Sequence, residues 1–241
     1  MKQYNQYSLI IMGAVLSIGI AIGGYFISQV LYNAKLNTAQ TKGLAERRVV
    51  ADRANWDINY GVVGSQSSKI KHLYRLVELD KVRIMKVLID NGFSEDEINV
   101  GVVKYDVEEF RNEDQKLVDT TRTLRGLISV ETNNVNLVPK VRTKLNELLV
   151  EGLSVINHSP SYTFTKLNDI KPEMLKEATI NARTAANEFA KIANAKVIGI
   201  ESAKQGSFYI RDVGEDYSDD KKIEKEVRVV TTISFYLGDY D

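Results

Sequence analysis

The sequence predicts an α+β fold in which two strand–strand–helix–strand–strand units are joined by a helix and preceded by one N-terminal transmembrane helix. Residues 9–31 form an apolar run without charge, long enough to cross a bilayer core as a helix. Residues 54–62 alternate between apolar and polar side chains, which is typical of a strand with one buried face. Residues 171–195 repeat small apolar side chains every three or four positions, which predicts a helix packed on a sheet.

The N-terminal run divides the chain into a short tail (1–8), a transmembrane anchor (9–31), a polar linker (32–42) and one folded domain (43–239). A cleaved signal peptide is the alternative, but its apolar region would be about 7–15 residues long and would end in a small-residue cleavage site. Basic residues flank the run on both sides, and a long following domain can be translocated regardless of charge. The charge pattern therefore leaves the side of the membrane open.

Two glycines in the anchor, Gly19 and Gly23, form a G-x-x-x-G pair. Small residues at this spacing allow two membrane helices to approach closely, so these residues are candidates for transmembrane helix packing. The alternative is that glycine is simply common in such helices.

The first half of the domain reads as strand, strand, helix, strand, strand. Alternation and turn residues place the strands at 43–51, 54–62, 98–107 and 121–131, with an exposed charged connection at 108–119. The helix begins at Ser67 or Ser68 and ends near Asp90, because Asn91 and Gly92 form a typical helix stop. Trp56 lies on the alternating strand and is predicted to be a core residue.

A linking helix at 137–152 precedes a second set of the same order, with strands at 153–157, 162–167, 196–212 and 227–237. Pro172 is predicted to stand in the first turn of the helix at 171–195. Gly206 interrupts a strand, which suggests a bulge or a close backbone approach. The buried face of the helix is predicted to contain one large anchor, Phe189, among small residues: Met174, Ala178, Ala182, Ala185, Ala186 and Ala193.

Composition excludes several kinds of chemistry. Lys and Arg together number 32, as do Asp and Glu, and this zero net charge argues against a nucleic-acid partner. The absence of cysteine excludes disulfides and thiolate chemistry, and two histidines leave little material for metal binding. No phosphate-binding glycine loop and no G-x-S-x-G motif occurs. We therefore predict no catalytic residue, no cofactor and no metal ligand.

The acidic loop at 212–220, DVGEDYSDD, is dense enough in carboxylates to suggest calcium. It lacks the spacing of a calcium-binding loop, and a solvated hairpin loop followed by Lys221 and Lys222 explains it equally well.

Four segments in this order resemble the SIMPL-domain family, which includes the YggE-like and periplasmic immunogenic protein-like members. They are GLAERRVVADRANWDINY, YTFTKLNDIKPEMLKEATINARTAANEFA, AKQGSFYIRD and KEVRVVTTISFYL. The resemblance implies an extracytoplasmic domain, a tendency to assemble into oligomers, and a link to oxidative-stress tolerance. It brings no catalytic residues.

Together these observations predict a non-enzymatic, single-pass protein of the bacterial cytoplasmic membrane, with its domain on the periplasmic side. We expect it to self-associate or to bind a protein partner in the cell envelope. The alternative is a binding module for an envelope small molecule, peptide or glycan, seated in a groove between the two units.

Overall fold

The computed structural model describes residues 6–33, 37–215, 217 and 219–239. Within these residues the helices are α1 (Gln6–Asn33), α2 (Ile70–Asp90), α3 (Leu137–Val150) and α4 (Leu167–Ile192). The strands are β1 (Asn37–Val50), β2 (Arg53–Gly64), β3 (Ile98–Val100), β4 (Lys104–Arg111), β5 (Leu117–Thr132), β6 (Val155–Asn157), β7 (Ser161–Thr163), β8 (Ala195–Asp212) and β9 (Glu224–Asp239).

The mixed helix and strand content confirms the predicted class, but the strands are grouped differently from the prediction. One sheet has three strands in the order β1–β9–β8, and the other has the order β3–β5–β2–β6, with β4 beside β5 and β7 beside β2. The first strand thus pairs with the last one, and β6 and β7 join strands of the first half. Local periodicity identifies a strand but does not show which strand pairs with it. The predicted division into two sequential units is not found.

Helix α1 contains the segment Ile10–Gln29, which is long and apolar enough to cross a membrane and is exposed throughout. A signal sequence at this position has the same properties. Strand β1 begins at Asn37, inside the segment predicted as linker. Its buried positions are all small residues, Ala39, Gly43 and Ala45, so the strand shows no alternation of large apolar side chains.

The chain divides into two compact units. The first contains the residues up to Ala45, Leu175–Ser207 and the residues from Val229 onward, and the second contains Glu46–Met174 and Phe208–Arg228. Strands β1, β8 and β9 each have residues in both units. The boundary therefore does not follow the predicted halves of the sequence.

In the first unit, α4 packs on the sheet through alanines spaced exactly four residues apart. Ala182 and Ala186 contact Ile233 and Phe235 of β9 in one buried cluster. The backbones come very close, because a Cβ on Gly43 of β1 would lie 1.8 Å from the carbonyl oxygen of Ala178. Such an approach is open only to glycine and alanine at the contact.

Phe189 is not the anchor of this face, which corrects the prediction. Its side chain is 56% exposed, and Ala185 and Ala193 are exposed as well. The large side chain comes from the sheet instead, since Phe235 is 1% exposed. Pro172 also stands deeper than predicted, because α4 begins at Leu167 and Pro172 is inside the helix.

In the second unit, α2 and α3 cover one face of the larger sheet. Strand β5 pairs antiparallel with nearly the whole of β2, from Ala54 opposite Thr132 to Gly64 opposite Arg122. Trp56 is 1% exposed within this core, as predicted, and its Nε1 donates to Oδ1 of Asn157 at 3.0 Å. Helix α2 starts at Ile70, later than the predicted serines, and ends before Gly92, whose φ of +106° fits the predicted stop.

The charged segment at 108–119 is largely strand and not a loop. Strands β4 and β5 continue toward a short turn in which the backbone N–H of Gln115 donates to the carbonyl of Asn112. Every residue of β4 is exposed. The predicted strand at 98–107 contains the first half of β4 but ends at Val107, because Glu108 and Glu109 interrupt the apolar alternation.

The acidic loop between β8 and β9 is organised by a buried ion pair. Lys225 and Asp212 are both 0% exposed, and Nζ of Lys225 lies 2.5 Å from Oδ1 of Asp212. The same ammonium donates to the carbonyl of Asp219, and the backbone N–H of Lys221 donates to Asp212. Asp212 thus fixes the loop of the second unit from within, a role that the sequence did not suggest.

Candidate functional site

A groove of about 660 Å³ lies on the larger sheet of the second unit. Its lining includes Asn59 and Val63 of β2 and Leu127 of β5. These residues alternate along their strands with the buried residues Tyr60 and Ile128. Successive side chains of a strand point to opposite faces, so the groove lies on the face turned away from the helices.

One part of the groove is apolar and exposed. Val63, Val102 and Ile156 are 67%, 87% and 60% exposed, and Leu127 lies between them on the sheet. Gly61 and Gly101 also line this region and contribute only main chain. A volume of this size with a mixed apolar and polar lining is in the range of binding sites for small ligands.

The other part of the groove carries charge. Lys104 of β4 is directly opposite Arg125 of β5. Two residues further along β4, Asp106 is opposite Thr123. Nη1 of Arg125 lies 3.5 Å from Oδ2 of Asp106. The two cations and one carboxylate leave this end of the groove with one excess positive charge.

Asn59 connects the groove to one of the two histidines. Its Nδ2 lies 2.8 Å from Nε2 of His158, and both side chains are on the exposed side of the sheet. The histidine lies in the short connection between β6 and β7, which both pair with β2 in the same direction, so the chain does not reverse at Pro160. His72 is exposed on α2, so the two histidines lie on different elements.

Beneath the groove, the ring of Tyr60 covers Gly126 of the neighbouring strand. A Cβ on Gly126 would lie 2.2 Å from Cζ of this ring, so only glycine fits there. The tyrosine hydroxyl is buried and has no hydrogen-bond partner among the described residues. Burial, with a smaller contribution from the nearby Glu78 carboxylate, raises the pKa of Tyr60 to about 12.

The residues singled out from the sequence lie elsewhere. Gly19 and Gly23 are on α1, with no other atom within 4 Å of the positions that their Cβ atoms would occupy, and their helix-packing role stays a prediction. Gly206 makes the close approach suggested for it, because a Cβ there would lie 2.4 Å from the carbonyl oxygen of Val230. In the described ranges, no group of three or more His, Cys, Asp or Glu side chains is placed to hold a metal ion.

Sequence reasoning missed the groove. Its residues come from β2, β5, β6 and the β3–β4 region, and no two of these segments form a local motif. The one available signal was glycine inside predicted strands, at positions 61, 101 and 126, because such glycines mark sites of close backbone approach or missing side chains.

Comparison with known proteins identifies the family. The sequence profile of SIMPL, described as a protein of unknown function (DUF541), matches residues 39–235. The chain belongs to the SIMPL family. The match starts within β1 and ends within β9, so it contains both sheets and the groove, and it leaves α1 outside the SIMPL region.

No curated protein matches the SIMPL chain in sequence. Among solved structures, it is similar to a crystal structure described as a candidate amidohydrolase/peptidase from Burkholderia cenocepacia, with 13% identity and a TM-score of 0.21. That match covers 60% of this chain and 36% of the other. At this TM-score the similarity supports no conclusion about fold or activity.

Proposed function

We propose that this SIMPL protein is a non-enzymatic, single-pass membrane protein whose domain binds protein, as a second copy of itself or another envelope protein. The proposal places α1 in the bacterial cytoplasmic membrane and the SIMPL region on the periplasmic side. A role in envelope or oxidative-stress tolerance follows from the family resemblance. The non-enzymatic assignment is supported by the scarcity of histidine and the lack of cysteine and catalytic motifs.

The observation that carries the proposal is the position of β8 in its sheet. Strand β8 spans Ala195–Asp212 and stands at the end of the order β1–β9–β8. An edge strand of this length offers backbone N–H and C=O groups to another strand, and proteins usually shorten, cover or charge such edges. In its first-unit part, β8 carries Lys196, Glu201 and Lys204. Between these charges it exposes Ile198 and Ile200, which are 51% and 54% exposed.

The two isoleucines are two residues apart, so they lie on the same face of β8. The opposite face carries Val197, which packs against the alanines of α4. The helix covers only that opposite face. Ile198 and Ile200 therefore form an exposed apolar surface beside the unpaired edge of β8. An edge and an adjacent apolar surface together favour strand-to-strand association with another chain.

The test is the mass of the full chain in detergent, measured by light scattering for the wild type, Ile200→Lys and Ser207→Lys. Ser207 is exposed on the same strand, seven residues from Ile200 and outside the Ile198–Ile200 surface, so it controls for an added charge. We expect the wild type and Ser207→Lys to be oligomeric and Ile200→Lys to dissociate. A monomeric wild type at all concentrations would rule out self-association and leave only a different protein as the partner.

The groove favours a second candidate function. A SIMPL protein that binds a small envelope ligand or a peptide would need a concave site with apolar and polar groups, which the lining provides. The groove lies on one sheet of the second unit, whereas the sequence predicted a groove between two units.

A further inference from the structure

The charged end of the groove is unfavourable for the protein alone. Lys104 and Arg125 are direct partners on neighbouring strands, and like charges at such positions repel each other. Asp106 offsets Arg125 only, since no carboxylate in the described part of the chain lies within 4.0 Å of the Lys104 ammonium. An anionic group between the two cations would relieve this repulsion.

The apolar part of the groove begins next to these cations. Leu127 is two residues from Arg125 on the same face of β5, and Val102 is two residues before Lys104. Val102 is 87% exposed, so its side chain is open to an apolar group of a ligand. A ligand that matches both parts has a negative charge joined directly to an apolar group.

We propose that the groove binds the C-terminal end of a peptide whose last residue is apolar. The α-carboxylate lies between Nζ of Lys104 and the guanidinium of Arg125, and the last side chain packs on Leu127 and Val102. The inference deepens the groove-binding candidate and does not depend on association through β8.

The remaining polar groups favour a peptide over a fatty acid, which has the same carboxylate. Thr123 and Ser154, which line the groove, both carry hydroxyl groups. These groups pair with peptide N–H and C=O groups, whereas an alkyl chain would leave them without hydrogen bonds. The lining is thus better suited to the main chain of a peptide than to an alkyl chain.

The experiment uses the full chain in detergent and a fluorescein-labelled hexapeptide of serine and alanine that ends in two leucines. Fluorescence polarisation compares the free carboxylate with the C-terminal amide of the same peptide. We expect the free acid to bind at least about tenfold more tightly, because the amide loses the charge-assisted hydrogen bonds. Raising the salt concentration should weaken binding of the acid only.

Three variants locate the site. Lys104→Gln and Arg125→Gln should each lower the affinity for the free acid by about tenfold, and Val102→Ser should lower it for both peptides. Lys116→Gln is the matched control, since Lys116 is an exposed lysine in the turn between β4 and β5. The control should bind as the wild type does.

Thermal unfolding separates binding from folding. Lys104→Gln removes a repulsion, so its melting temperature should equal or exceed that of the wild type although its affinity falls.

The proposal is wrong if acid and amide bind equally, if Lys104→Gln binds normally, or if neither peptide binds at millimolar concentration. Displacement of a fluorescent fatty acid by laurate without peptide binding would also overturn it. Binding that persists in Ile200→Lys would show that the groove functions without the β8 surface.

Discussion

At the scale of single residues, Tyr60 fills the space beside Gly126 at the cost of an unpaired hydroxyl group. The ring replaces the side chain that Gly126 lacks, and the hydroxyl is buried without a partner among the described residues. A buried hydroxyl without a partner loses its hydrogen bonds to water and gains none in return. Packing, and not polarity, therefore explains the tyrosine at this position.

Replacing Tyr60 by phenylalanine tests this explanation. Tyr60→Phe keeps the ring over Gly126 and removes the unpaired hydroxyl, so the free energy of unfolding should stay the same or rise by about 1 kcal/mol. Tyr209→Phe, at a site that is 65% exposed, is the control and should change little. Urea unfolding at pH 7 measures both variants. A clear loss of stability in Tyr60→Phe would mean that the hydroxyl does have a partner.

The same hydroxyl predicts a pH dependence. The pKa of Tyr60 is about 12 in the folded chain and about 10 when unfolded. The folded state therefore holds the proton more tightly, and this stabilisation is complete below pH 10 and is lost between about pH 10 and pH 12. Tyr60→Phe should lose less stability than the wild type over this range. Some loss should persist, because burial also raises the pKa of Tyr162.

At the scale of elements, α4 shows what periodicity can and cannot predict. The helix and its alanine face, with Ala178, Ala182 and Ala186, follow from their spacing alone. The spacing also admits positions three residues apart, and these include Phe189, which is exposed. Which of two neighbouring stripes is buried depends on the strand beneath, and Phe235 of β9 is not visible from the helix sequence.

Ala182→Leu and Ala185→Leu compare the two stripes directly. Ala182 is 0% exposed, and its carbonyl accepts a hydrogen bond from Oγ1 of Thr41 at 2.8 Å. Leucine there has no space and should lower the free energy of unfolding by roughly 1–3 kcal/mol. Ala185→Leu, on the exposed side of the same helix, should change it by less than about 0.5 kcal/mol. Equal melting temperatures for the two variants would contradict the packing of α4.

At the scale of the whole molecule, most strands could be predicted but their pairing could not. Strand β2 is evident from its alternation, yet nothing near β1 indicates that it pairs with β9 at the other end of the chain. The groove could not be predicted for the same reason, because Lys104 and Arg125 become neighbours only through the register of β4 and β5. Long-range pairing is decided by the packing of complete faces, and a single sequence does not display it.

The proposed topology can be tested because the chain has no cysteine. Glu113→Cys places a single thiol in the exposed turn between β4 and β5. In intact spheroplasts, a membrane-impermeant maleimide should label this thiol, and the protein should stay in the membrane after a carbonate wash. Tyr4→Cys, in the short N-terminal tail, should be labelled only after lysis. The reverse pattern would place the SIMPL region in the cytoplasm.

The short distance between α1 and β1 has a consequence for encounters with partners. Helix α1 ends at Asn33 and β1 begins at Asn37, so four Cα–Cα steps of about 3.8 Å limit the separation of these ends to about 15 Å. With α1 in a bilayer, the domain would stay close to the membrane surface and would move laterally with the helix. Two such molecules would meet at a raised effective concentration, so even a weak contact through β8 would be populated.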